Sequence, residues 1–178
     1  MLARIPLLFR VPLIWLLIAI NTLVLASLLL LCSLLKGILP VKGLQRILNA
    51  WILALAETWI AGNSWMMDHL TTLQIHYSED ATLDPHGHYL VLSNHRSWVD
   101  ILVLQKVFNR HIPFMRFFLK QELIWVPMLG LVWWALDFPF MRRHTKSQLQ
   151  KHPELAGQDI AATRKACEKF LGKPISIM

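Results

Sequence analysis

His95 and Asp100 are the two side chains whose types and spacing could together move a proton. They stand five positions apart, between an apolar run at residues 89–92 and a second apolar run that begins after Ser97. The first run reads as a buried strand and the second as a helix, so both residues fall where a strand hands over to a helix. Ends of strands in a parallel sheet are where α/β folds place ligands and chemistry. A carboxylate just inside the helix can hold an imidazole in one orientation and tautomer, leaving the other ring nitrogen as a general base. A plainer account covers the same residues. Ser97-Trp98-Val99-Asp100 fits the capping box, with Ser97 as N-cap and Asp100 at N3. A histidine in a strand–helix turn needs no function. On spacing alone both accounts stand.

The elements that would position this pair follow from periodicity and turn chemistry. Leu73, Ile75 and Tyr77 alternate with polar residues, which predicts a strand, followed by turn residues at Ser78-Glu79-Asp80 and then Asp84-Pro85-His86-Gly87. After the His–Asp stretch, residues 98–107 predict a helix that Asn109-Arg110-His111 ends, and 112–118 predict the next strand. Residues 120–136 are helical in character but interrupted at Pro127, which cannot donate its backbone hydrogen bond. A short strand is expected at 138–141, a poor central one because of Pro139. A charged helix at 161–170 stops at Gly172, and 175–178 begin another strand. Strands alternating with helices argue a layered α/β domain with a mostly parallel sheet. His86 and His88 lie near His95, but no cysteine or further ligand stands at a metal-binding spacing, so no metal site is expected.

Ahead of this domain the chain changes character. Residues 11–35 carry no charge, and a helix needs about 20 apolar residues to span hydrocarbon. A signal peptide has a shorter apolar region and a small-residue cleavage site, which this stretch lacks. Residues 47–67 are apolar too but hold Asn49, Glu57 and Asn63 in no clean stripe, which favours an interfacial or re-entrant helix over a second span. The chain is 55% hydrophobic and 16% charged, with eight Trp and a net charge of +7; its mean hydropathy is +0.44. Basic, tryptophan-rich and apolar together point to a membrane surface carrying anionic lipid. No basic nucleic-acid motif is present, so nucleic acid is not an expected partner. Cys32 and Cys167 imply no disulfide framework.

The full string Asn94-His95-Arg96-Ser97-Trp98-Val99-Asp100 resembles the N-H-x-x-x-x-D signature of the glycerolipid acyltransferases, the family of 1-acylglycerol-3-phosphate acyltransferase. A second block agrees in order and spacing. It runs from Phe118-Leu119-Lys120-Gln121-Glu122-Leu123 through Trp125-Val126-Pro127 and Gly130 to Phe140-Met141-Arg142-Arg143. The resemblance covers about residues 70–178. It implies a membrane-anchoring region at 1–69 and an acyltransferase domain at 70–178, with His95 as base and Asp100 as its orienting carboxylate. Asn94 and Ser97 belong to the same motif. It also implies that Arg143, with Arg142 beside it and Lys120 assisting, binds the substrate's phosphate. The acceptor would be a lysophospholipid and the donor an acyl thioester, acyl-CoA or acyl carrier protein, with no further cofactor. A bacterial inner membrane is the implied location. The family's third motif, Glu-Gly-(Thr/Ser)-Arg, would follow the strand at 175–178, where the sequence stops, so the acyltransferase domain is expected to be incomplete. A non-catalytic membrane protein that keeps the motif is the alternative. Trp125, Trp133 and Trp134, with Met128, Leu129, Leu131 and Val132, form an apolar stretch that serves either as core or as a wall for an acyl chain or membrane.

Overall fold

The computed structural model describes residues 6–78, 82–94, 96–141, 157, 161, 164, 168, 170 and 174–178. Two long helices come first. Helix α1, Leu7–Ile38, starts behind Pro6 and is 32 residues long, roughly 48 Å at the usual rise per residue. Its outer side is leucine-rich and exposed along most of its length. Among the described residues it is the one helix long and apolar enough to cross a membrane. The chain turns back and runs as α2 over Lys42–Leu70.

Helix α2 is longer than the expected 47–67 and does have a face. Leu48, Ile52, Ala56, Ile60, Asn63, Met66 and Leu70 are buried, at steps of three and four residues, which is one side of an α-helix. Asn63 hid that face in the sequence because a polar residue sits on the buried side. It is tolerated there because Asn21 of α1 donates to its Oδ1 at 3.0 Å and to the Trp59 carbonyl at 3.1 Å. The Trp59 indole N–H donates to Thr22 Oγ1 at 3.0 Å. A buried polar group paired in this way escapes the cost of desolvation. Glu57 is half-buried and accepts from Arg110 Nε at 3.2 Å.

The remainder is of the α/β class. Strand β1 is His88–Leu90, α3 is Trp98–Phe108, β2 is Met115–Arg116 and β3 is Leu119–Lys120. A 3₁₀ turn over Gln121–Trp125 leads to α4, Leu129–Ala135; β4 is Phe140–Met141 and β5 is Ile175–Ile177. Every strand pair is parallel. The three-stranded sheet has the order β1-β5-β2, with Leu90 and Arg116 both opposite Ile177. Among the described residues strand β3 pairs with β4 alone. The backbone changes partner between these sheets at adjacent residues, the Phe118 amide donating to Met178 and the Leu119 amide to Pro139.

Three sequence expectations are corrected. Residues 73–77 form no strand, and Leu73 and Tyr77 are exposed; alternation marks a face to bury, but a strand also needs a neighbouring backbone. Strand β1 is shorter than 89–92 and not buried, with Leu90 68% and Leu92 85% exposed, because it occupies a sheet edge. The segment 112–118 yields only the two-residue β2, whereas 120–136 is helical and broken at Pro127 as expected, as the 3₁₀ turn and then α4. The expected helix at 161–170 lies mostly outside the described residues; Ala161, Arg164 and Glu168 are helical.

One apolar cluster joins the hairpin to the sheets: Leu29, Ile52, Ala56, Met115, Phe117, Leu136 and Phe138. Helix α4 is seated on it by its ends. At its start a γ-turn puts Met128 at φ 61°, with the Leu129 amide on the Pro127 carbonyl at 2.7 Å. At its end the Phe138 amide donates to Trp133 and the Asp137 amide to Trp134. With Asp137 at φ 61°, this is a Schellman closure carrying Asp where Gly is usual.

Candidate active site

Strand β1 delivers the chain to the site. The Val91 amide still donates to Ile177 at 2.9 Å, after which Leu92, Ser93 and Asn94 leave the sheet exposed. His95 lies outside the described residues. From Arg96 onward the geometry is that of a helix start. Ser97 Oγ accepts from the Val99 amide at 3.2 Å, and Asp100 Oδ2 accepts from the amides of Arg96 at 2.6 Å and Ser97 at 2.7 Å. This is a capping box. It also fixes the carboxylate in place, half-buried at the N-terminus of α3.

The second block is positioned by β3 and β4. Their register sets Lys120 against Met141, the residue before Arg142. Lys120 is exposed; Arg142 and Arg143 lie outside the described residues. Gly130 has a steric reason to be glycine, since a Cβ there would stand 2.0 Å from the Ile124 carbonyl oxygen. The 3₁₀ turn and α4 can close on one another only at that position.

A family model described as Acyltransferase matches residues 73–168, more than half of the chain. The chain belongs to the acyltransferase family. No curated protein and no solved structure matches it.

The acyltransferase match spans both blocks, the capped start of α3 and the β3–α4–β4 unit. The tryptophan-rich stretch of that unit divides in two. Leu129, Val132 and Trp133 face a narrow apolar cleft against Leu25, Leu29 and Ala56 of the hairpin, whereas Trp125, Leu131 and Trp134 are 84%, 56% and 63% exposed. Core and exposed wall are both present, on opposite sides of α4. Gln105, which the sequence reading passed over, also lines this cleft and is buried. It falls on the inner side of α3 in an otherwise unremarkable helical run, so only packing reveals it. Among the described residues no three His, Cys, Asp or Glu side chains gather to hold a metal ion.

Proposed function

We propose that this acyltransferase moves a fatty acyl group from a thioester donor, acyl-CoA or acyl carrier protein, to the free hydroxyl of a membrane lysophospholipid, 1-acylglycerol-3-phosphate being the acceptor that the motifs favour. The observation that carries this reading is Asp100, its Oδ2 held by two amides immediately after His95 in the chain. In this proposal His95 takes the proton of the acceptor hydroxyl as its oxygen attacks the thioester carbonyl, and Asp100 stabilises the resulting imidazolium. The thiolate leaves, and the proton passes on to it. Arg142, Arg143 and Lys120 offset the acceptor's phosphate charge, the planar guanidinium fork suiting phosphate oxygens. Helix α1, long and apolar enough to cross a membrane, keeps the enzyme beside its lipid acceptor, a bacterial inner membrane being the location this reading favours.

The test is acyl transfer by the full chain in lipid, comparing the native protein with His95→Ala. A fall of roughly 10²–10⁴-fold is expected for loss of a general base. Equal activity in the two proteins removes His95 from the mechanism. Because the capping box accounts for Ser97 and Asp100 without chemistry, a non-catalytic membrane protein is the second reading. It is favoured if no lysophospholipid and thioester pair is turned over.

A further inference from the structure

Two clefts meet at the closed end of the helical hairpin, and their chemistry is complementary. The first is lined by Lys36 and Asn49 of the hairpin and by Arg116, Asp137 and Phe170 of the α/β part. The second is lined by Ser33, Gly37, Trp134, Phe138, Pro139 and Phe140. Lys36, Ala135 and Asp137 line both. One compartment is cationic, with two cations facing one carboxylate. The other is largely apolar. None of these residues belongs to the capped start of α3.

Arg116 is the unusual member. Its Nε donates to the Leu136 carbonyl at 2.8 Å, and its Nη1 reaches the Phe114 carbonyl at 3.3 Å. The guanidinium lies over the rings of Phe114 and Phe170, 5.5 and 5.4 Å from their centroids. Among the described residues Nη2 has no acceptor. Burial lowers the Arg116 pKa from its ordinary value, and attraction to Asp137 opposes that in part. The group nonetheless stays ionised at neutral pH, so a second anion at Nη2 would relieve a desolvation cost already present. Across the cleft the Lys36 ammonium forms no ion pair among the described residues.

We propose that these joined clefts hold a single anionic phospholipid, its phosphate between Lys36, Asn49 and Arg116 and one acyl chain along Trp134 and Phe140. Exposed Ile38, Leu39 and Val41 at the hairpin tip, with Lys42 and Arg46 beside them, put this opening where lipid is at hand. Among the described residues the lining holds neither Asp100 nor Lys120, and the proposal does not depend on the acyl-transfer reading. An anionic lipid here would tie the hairpin to the loop after α4 and so link membrane composition to the β3–α4–β4 unit.

The experiment is native mass spectrometry of the full chain released from detergent, after incubation with phosphatidylglycerol or phosphatidylcholine. One retained phosphatidylglycerol per chain is expected, with phosphatidylcholine retained less. Lys36→Gln should weaken retention about five-fold, the usual worth of one basic residue at an anionic surface, while the double variant Lys42→Gln with Arg46→Gln leaves it unchanged. Arg116→Gln also removes the bond to Leu136, so Lys36→Gln is the deciding variant. If the double variant loses the lipid and Lys36→Gln does not, attraction is spread over the tip and the proposal fails. If inorganic phosphate displaces the lipid at equal concentration, the site is for a free anion and the proposal fails. If lysophosphatidate alone displaces it, the clefts are the acceptor site and the proposal also fails. Retention by His95→Ala matching the native protein keeps this result distinct from the acyl-transfer reading, which can fail while lipid retention persists.

Discussion

Helices α3 and α4 begin in opposite ways, although each lies in one of the two motif blocks. The start of α3 is satisfied by side chains: Ser97 and Asp100 take up the amides of Val99, Arg96 and Ser97. The start of α4 has no side-chain cap and opens in a positive-φ γ-turn at Met128. It is held instead by close backbone approach of Gly130 to Ile124. A helix start made of polar side chains can double as chemistry, because it fixes a carboxylate at the surface. A start made of backbone contact can only position what α4 and β4 carry.

Gly130→Ala is the sharpest way to break this contrast. The added methyl meets a carbonyl oxygen that no rotamer change can clear, so about 3 kcal/mol or more of stability should be lost. Thermal unfolding of the full chain in detergent reads it, and an unchanged midpoint would mean the turn is not packed as described.

Asp100 comes next. Asp100→Ala strands two amides and should cost about 1–2 kcal/mol, in the range of a lost helix cap. Asp100→Asn keeps an oxygen acceptor for both and should cost only about 0.5 kcal/mol through the lost charge at the helix terminus. If the carboxylate also orients His95, acyl transfer should fall in both variants although only Asp100→Ala loses much stability. Equal activity of Asp100→Asn and the native chain would reduce the aspartate to a cap.

Met128→Gly tests the other helix start from the opposite direction. Relief of a strained φ is worth about 1–3 kcal/mol, less the added flexibility of glycine, so a net gain near 1 kcal/mol is expected. A loss would show that the Met128 side chain matters more than its backbone. The smallest effect belongs to Ser176, fully buried at the centre of the β1-β5-β2 sheet with no partner for its hydroxyl among the described residues. Ser176→Ala should raise stability by about 1 kcal/mol or less, and a clear decrease in the unfolding midpoint would reveal a bond to that hydroxyl.

The capped start of α3 and the break ahead of α4 are legible in the letters because their signals are local. The capping pattern needs four consecutive residues, and the break at Pro127 needs one. The alternation at 73–77 misleads for the opposite reason: it says which side chains could share a face, not whether a second backbone lies alongside. The apolar side of α2 stayed hidden because Asn63 interrupts it, and its partner Asn21 is forty-two positions away. Lys36, Asn49 and Arg116 carry no motif at all and become neighbours only through folding.

By itself the sequence determined the class of the fold, the long apolar α1, the capped start of α3 and the motifs that carry the acyltransferase family. Each rests on period, composition or short-range hydrogen bonding, which neighbouring residues settle among themselves. Tertiary structure alone decided that β5 enters between β1 and β2, that α4 turns one side to the core and the other outward, and that a basic and an apolar cleft join at the hairpin's closed end. Those outcomes depend on which distant surfaces bury the most apolar area together while leaving buried polar groups paired, and no short stretch of chain contains that information.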